Sequence, residues 1–118
     1  MAKTLTLLVY SGPYHEDNRA WHALRMASAG VTEGMRVRIH LLETAIFLGV
    51  REQRIPEGEA DMQGLLSELI ENGIEVSACD LAMEGFGLGE ADLLPGVRKS
   101  SLSTIGGWLA ESDLALSF

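Results

Sequence analysis

The sequence predicts an α/β fold: a three-layer sandwich with one mostly parallel, twisted sheet of about five strands and helices on both faces. Short apolar, β-forming runs alternate with amphipathic helical segments along all 118 residues, an order typical of right-handed βαβ units. Apolar residues make up 47% of the chain, enough to form a core. This length suits one compact domain and not two, so we expect residues 1–118 to be a single domain.

The first three elements are predicted to be a strand, a helix and a strand. Residues 4–10 form a nearly continuous apolar run, which is typical of a strand buried on both faces. A helix then begins near Asp17. In residues 35–42, apolar side chains alternate with basic ones such as Arg38 and His40, which predicts a strand less fully buried than the first. The helix carries one stripe of mostly small apolar residues: Ala20, Ala23, Leu24 and Ala27.

The remaining segments continue this alternation. Asn72-Gly73 ends a clear helix, and Pro95-Gly96 marks a turn. In the later helix, we expect Ile105, Trp108 and Leu109 to face inward. The predicted segments are a short helix (43–50), a mobile polar loop (51–60), a helix (61–72), a strand (74–78), a short helix from 80, a short strand (97–99), a helix (104–111) and a last strand (114–118). An edge strand ending in Phe118 would leave apolar surface exposed, which favours oligomerisation.

Charge and cysteine content exclude several classes of function. The formal net charge is −8, with 17 acidic and 9 basic residues, which argues against binding to nucleic acid or to an anionic membrane surface. The apolar run near the N-terminus is too short to span a bilayer. The chain has one cysteine and therefore no internal disulfide, so we expect a reducing, cytoplasmic location.

Cys79 is the most informative residue, because it follows a predicted apolar strand and precedes a predicted helix. In open α/β sheets, this carboxyl edge is where ligand and reaction sites lie. A helix N-terminus there would favour the thiolate, whereas Asp80 and Glu84 would oppose it. Free cysteines are also often buried and inert, so a reactive thiol and a structural thiol are both open interpretations.

Other motifs point away from cofactors and metals. The three histidines (His15, His22 and His40) lack metal-ligand spacing, and Gly85-x-Gly87-x-Gly89 does not lie between a first strand and a long helix as a dinucleotide site requires. We therefore predict no cofactor and no metal. His15 follows the first strand at the same edge as Cys79, so it could hydrogen-bond the thiol or help to ionise it.

The order and spacing of three motifs resemble the DsrE/DsrF/TusD-like (YchN-like) sulfur-relay family. These motifs are Ser11-Gly12-Pro13-Tyr14 after the first strand, the stretch 73–79 ending in Cys79 and followed by 86–97, and the ending 109–118. Many members carry an arginine where this chain has Phe86. The resemblance implies a single DsrE-like domain with a flavodoxin-like α/β fold, commonly assembled into trimers or hexamers.

In that family the cysteine after the third strand receives sulfur as a persulfide and passes it on, so the resemblance implies that Cys79 is the catalytic residue of a small cytoplasmic sulfur carrier. Its partners would be a sulfur-donor and a sulfur-acceptor protein, and it would form a homotrimer or homohexamer. We expect the pocket and the groups that stabilise the thiolate to involve Ser11, His15, Thr44, Asp80, Leu81 and Ala82. Two alternatives stay open: a non-catalytic oligomeric binding module with an inert, buried Cys79, and a hydrolase or transferase using Cys79 with His15.

Overall fold

The computed structural model describes residues 2–14 and 17–118, and these residues build one sheet of five parallel strands. The strand order is β4-β3-β2-β1-β5, so the first strands lie at the centre and β4 and β5 form the edges. This arrangement confirms the predicted fold class. The strands are β1 (Thr4–Val9), β2 (Arg36–Leu41), β3 (Glu75–Cys79), β4 (Val97–Ser100) and β5 (Leu114–Ser117).

Helices cover both faces of the sheet, as predicted. The helices are α1 (Arg19–Thr32), α2 (Met62–Glu71), α3 (Asp80–Gly85) and α4 (Leu102–Glu111), with short 3-10 helices at Glu43–Gly49 and Glu90–Asp92. The chain moves across the sheet in one direction from β1 to β4 and then returns to β5. Right-handed crossovers therefore place α4 alone on the second face. Within the described residues, no helix is both long enough and apolar enough to cross a membrane.

The main core lies between α1, α2 and the face of the sheet that carries Leu7 and Ile39, both fully buried. The predicted small-residue stripe of α1 is buried there and lets the helix approach closely. A Cβ added at Gly30 would lie 3.0 Å from Cγ2 of Val37 and 3.2 Å from Cδ2 of Leu5. Glycine therefore permits a close helix–sheet contact, and a methyl group at this position would have to displace the Val37 or Leu5 side chain slightly.

The second face of the sheet is unusually polar, and here the sequence prediction for β2 is wrong. β2 is a central strand, and Arg38 and His40 are 3% and 0% exposed. Arg38 and His40 therefore face the α4 side of the sheet and not solvent, whereas Arg36 at the start of β2 is exposed. The Arg38 guanidinium lies 3.6 Å from Glu75 and 3.2 Å from Glu111, and it stacks over the Trp108 ring at 5.3 Å. These partners offset part of the cost of burying its charge, while Nε and Nη1 of Arg38 have no hydrogen-bond partner among the described residues.

The last helix and strand are more exposed than the rest. Ile105 and Trp108 are buried as predicted, but Leu109 is 39% exposed, so its predicted inward orientation is wrong. The reason is that α4 is the sole helix on its face and packs along a narrow stripe. All residues of β5 are exposed, in agreement with the predicted edge strand.

Candidate functional site

Cys79 lies at the carboxyl edge of the sheet, in the place predicted. It is the last residue of β3, and α3 begins at the next residue, Asp80. Its backbone is extended, with φ −62° and ψ 123°, which allows the chain to turn from strand to helix without a loop. The residue is 6% exposed.

The small exposed part of Cys79 opens into a concave pocket of about 420 Å³. Three elements build it: the segment that follows β2, the short helix α3, and the start of α4 after β4. These elements meet because β2 and β4 are the two neighbours of β3 in the sheet. The lining residues are Leu42, Glu43, Cys79, Leu81, Ala82, Gly85, Phe86 and Leu102. Cys79 therefore lines a pocket whose side chains are mostly apolar and include one carboxylate, that of Glu43.

Large apolar side chains surround the mouth of this pocket. Leu81 is 65% exposed, Leu102 55% and Phe86 48%. Phe86 is fixed by an edge-on contact with Phe47, with ring centroids 5.1 Å apart. Three exposed apolar side chains around one concave site are typical of a surface that receives a ligand or a partner.

The charged groups of the pocket wall and of the adjoining helix start are carboxylates. Glu43 adopts a left-handed backbone with φ +49°, a strained conformation for a residue with a side chain. Asp80 accepts a hydrogen bond from the N–H of Leu81 at 2.8 Å, so that N–H is committed to a carboxylate. α3 has six residues, and a helix of that length contributes little dipole. An anion at Cys79 would find weaker support than the sequence suggested.

His40 lies one strand away, on the second face of the sheet, and is uncharged near neutral pH. Its Nδ1 shares a hydrogen bond with Oγ of Ser77 at 2.7 Å, and its Nε2 has no partner among the described residues. Burial lowers the His40 pKa from 6.5 to about 4, and the negative charge of Asp80 partly opposes this shift. His40 is therefore not a cation that could stabilise a thiolate.

The structure brings together part of the predicted site. Leu81 and Ala82 line the pocket with Cys79, and Asp80 starts the same helix. Ser11 is half-buried and lines neither this pocket nor the second pocket, to which Thr44 belongs. His15 falls outside the described residues.

Thr44 belongs to a second pocket, of about 480 Å³. Its Oγ1 accepts a hydrogen bond from the N–H of Gly12 at 3.1 Å, which ties the segment after β1 to the segment after β2. The second pocket is lined by Pro13, Tyr14, Thr44, Phe47, Gln53, Arg54 and Pro56. Thr44 and Cys79 therefore lie in the walls of different pockets, with Phe47 in one and Phe86 in the other.

Sequence reasoning missed five residues of the Cys79 pocket: Leu42, Glu43, Gly85, Phe86 and Leu102. Leu42 and Glu43 directly follow β2, and Leu102 begins the helix after β4. The rule that parallel strands end at one edge could have identified these residues, had the strand order been known. The predicted Thr44 is one residue beyond Glu43, and strand order alone does not give the side-chain direction at that position.

Within residues 2–14 and 17–118, no group of three or more His, Cys, Asp or Glu side chains is arranged to hold a metal ion. The site that the structure builds is a thiol pocket.

Comparison with known proteins gives a consistent assignment. The sequence matches the DsrE/DsrF-like family over residues 3–118. It is 35% identical over 114 residues to an uncharacterised protein, MK0008, of Methanopyrus kandleri, covering 97% of this chain and 93% of that protein. It is 32% identical over 113 residues to an uncharacterised protein, MJ0989, of Methanocaldococcus jannaschii, covering 96% and 97%.

Solved structures share the fold. The YchN protein of E. coli superimposes with a TM-score of 0.88 at 26% identity, over 100% of both chains. MTH1491 of Methanobacterium thermoautotrophicum, a protein of unknown function, superimposes with a TM-score of 0.72 at 16% identity, over 98% of this chain and 99% of that one.

Proposed function

This chain belongs to the DsrE/DsrF-like family, and we propose that it is a sulfur carrier that accepts a sulfur atom at Cys79 as a persulfide and passes it to an acceptor. One observation carries the proposal. The single cysteine of the chain lies at the carboxyl edge of the sheet and lines a pocket of about 420 Å³ whose side chains are mostly apolar. A concave site of this kind can receive one small, reactive group beside the cysteine.

Loading and unloading are both thiol exchange steps without net oxidation or reduction. In loading, the Cys79 thiol loses its proton and the thiolate attacks the outer sulfur of a donor persulfide. The donor S–S bond breaks, its electron pair leaves with the inner sulfur as a donor thiolate, and a new S–S bond forms on Cys79. In unloading, an acceptor thiolate attacks the outer sulfur and Cys79 leaves as the thiolate.

The wall of the pocket and its exposed rim would have different tasks. Leu42, Phe86 and Leu102 would exclude water and stray thiols from the bound sulfur, while Leu81 and Ala82 adjoin Cys79 on α3. The exposed rim would contact the donor and the acceptor in turn. Of the residues expected beside the thiol, Ser11 and Thr44 keep an indirect role in this proposal, as part of the same sheet edge, and His15 lies outside the described residues.

The donor and the acceptor are proposed to be proteins that present a reactive cysteine to this pocket. Assembly as a homotrimer or homohexamer and a cytoplasmic location are parts of the same proposal. The reducing conditions of the cytoplasm suit a chain with one thiol, and the net charge of −8 disfavours nucleic acid as a direct partner.

The test is intact mass spectrometry of the native protein after incubation with a persulfide donor, with and without reductant. We expect a gain of one sulfur atom that reductant reverses and that Cys79→Ser abolishes without loss of the folded CD spectrum. Equal loading of the Cys79→Ser variant would refute the proposal.

A second candidate function is a non-catalytic binding module in which Cys79 is a core residue. The low exposure of Cys79, 6%, and the carboxylates of Glu43 and Asp80 favour it. Reaction with a small thiol reagent separates the two functions. A thiol that reacts in the folded protein supports the carrier, whereas a thiol that reacts after unfolding alone supports the binding module.

A further inference from the structure

The mouth of the Cys79 pocket carries carboxylates as well as exposed apolar side chains. Glu43 lines the pocket, and Asp80 and Glu84 lie on α3. Glu84 follows the lining residue Leu81 by three positions, and residues at this spacing are neighbours on the surface of a helix. We call Glu43, Asp80 and Glu84 the acidic rim. Glu43 and Glu84 are exposed, and Asp80 is half-buried.

The acidic rim forms no ion pair within the described part of the chain. The ion pairs of the described residues involve other carboxylates, those of Asp17, Glu75 and Glu111. Asp80 and Glu84 are four residues apart on α3, a spacing at which like charges repel each other. A positively charged group from another molecule would therefore be attracted to this mouth.

The basic residues of the neighbouring strand β4 do not neutralise the rim. Lys99 is the register partner of Ala78, the residue before Cys79. Because successive side chains of a strand alternate between the two faces of a sheet, Lys99 lies on the opposite face from Cys79. The guanidinium of Arg98 lies 3.8 Å from the Glu75 carboxylate, at the start of β3 and away from the carboxyl edge.

We propose that the mouth of the Cys79 pocket docks a basic segment of a partner protein, in which one apolar side chain enters the pocket and adjacent lysine or arginine side chains pair with the acidic rim. The pocket of about 420 Å³ has the size and the mostly apolar lining of a site that receives one such group. Burial of the apolar side chain would supply affinity, whereas the opposite charges would orient the segment and raise its rate of association.

Charge favours this occupant over the alternatives. A second copy of the chain brings a net charge of −8 and an identical acidic rim, and like charges that face each other disfavour contact. Nucleic acids and anionic membranes are repelled for the same reason. A small uncharged ligand would leave the carboxylates without a role.

The docking surface deepens the sulfur-carrier proposal, because it names the chemistry of the protein segment that would exchange sulfur with Cys79, and to that extent it rests on the proposed function. Docking itself requires no sulfur chemistry. It can therefore be measured with a segment that has no cysteine, and a failure of docking is distinguishable from a failure of sulfur transfer.

Fluorescence anisotropy with end-labelled peptides tests the docking. The probe is a short peptide with leucine and serine at its centre and lysines on both sides, in which serine replaces the cysteine of the partner. One control peptide has glutamate in place of lysine, and another has glycine in place of leucine. We expect the probe to bind at least about tenfold more tightly than either control at low ionic strength, with a preference over the glutamate peptide that falls as salt is added.

Two results would overturn the proposal. One is equal binding of the probe and both controls, or binding of none of them. The other is a preference for leucine without a preference for lysine, which would identify the pocket as a site for an uncharged apolar ligand.

A charge substitution assigns the preference to the acidic rim. We expect Glu84→Lys to reduce the preference for lysine over glutamate peptides to about threefold or less. Glu33→Lys changes the net charge equally and is the matched control, because Glu33 is exposed at the end of α1, before the amino end of β2. It should keep the preference. CD spectra verify folding, and Glu84→Gln replaces Glu84→Lys if the latter does not fold. A folded Glu84 variant with the wild-type preference contradicts the docking surface.

The Cys79→Ser variant separates docking from sulfur transfer. It should bind the probe as tightly as wild type, because the probe has no cysteine and makes no covalent bond. Tight binding of the probe by a wild-type protein that fails to load sulfur would support the docking surface and refute the sulfur carrier.

Discussion

Acid should destabilise this protein through His40, and the size of the effect follows from its burial. The His40 side chain is fully buried with a pKa of about 4, against 6.5 for an exposed histidine. The unfolded chain therefore binds a proton at higher pH than the folded one, and the free energy of unfolding falls as the pH drops from 6.5 to 4. Relative to pH 7, the loss from this one group is about 2 kcal/mol at pH 5 and about 3 kcal/mol at pH 4.

The His40→Asn variant isolates this contribution, since the shorter amide can keep a hydrogen bond to Ser77 but does not titrate. We would measure urea unfolding of both proteins at pH 7, 6 and 5 at one protein concentration. The carboxylates titrate in both proteins, so their contributions cancel in the difference between the two free energies of unfolding. This includes Glu75, whose pKa is lowered by Arg36 and Arg38 against an opposing effect of burial. We expect wild type to lose about 2 kcal/mol more than His40→Asn between pH 7 and pH 5. Equal losses of the free energy of unfolding in the two proteins would contradict a buried, neutral His40.

Two further predictions concern the packing of helices and of the pocket. Gly30→Ala brings a methyl group to 3.0 Å from Val37 and should lower the free energy of unfolding by about 1–2 kcal/mol. Gly106→Ala, with nothing within 4 Å, should raise the free energy of unfolding by up to about 1 kcal/mol, because alanine favours helix. Urea unfolding measures both variants, and equal effects would contradict the close α1 contact. Phe86→Ala removes a wall of the Cys79 pocket and should speed alkylation of the folded thiol several-fold, with Ile55→Ala as the control; an unchanged rate would show that Phe86 does not restrict access.

Local sequence patterns predicted the elements of this fold because each has a strong local cause. The alternation of apolar strands and amphipathic helices gave the parallel sheet, and the apolar stripe of α1 marked its buried face. β2 was misjudged for a reason that lies outside the strand. Its Arg38 and His40 are buried because α4, some sixty residues later in the chain, crosses over them and supplies Trp108 and Glu111. An alternating pattern reports that two faces differ, and not which of them meets solvent.

The sequence was enough to predict the sheet edge at which the candidate site lies, but not the residues that line the pocket. Cys79 follows β3 as expected, and the strand order brings Leu42 and Leu102 to it from the two neighbouring strands. Thr44 illustrates the limit. It follows the correct strand, but Glu43 takes a left-handed backbone conformation, and a single residue of that kind redirects the side chains that come after it. Such a conformation in glutamate has no signature in the sequence.

The chemistry of the pocket bears on how a bound sulfur would be held between donor and acceptor. Among the described residues, the lining contains the Glu43 carboxylate and no cation, and the Leu81 N–H is committed to Asp80. The described lining residues therefore offer no positively charged side chain as a partner for a sulfur anion. Under the proposed function, the acceptor thiolate is the nucleophile that releases the sulfur, and it reaches Cys79 across a rim of exposed apolar side chains: Leu81, Phe86 and Leu102.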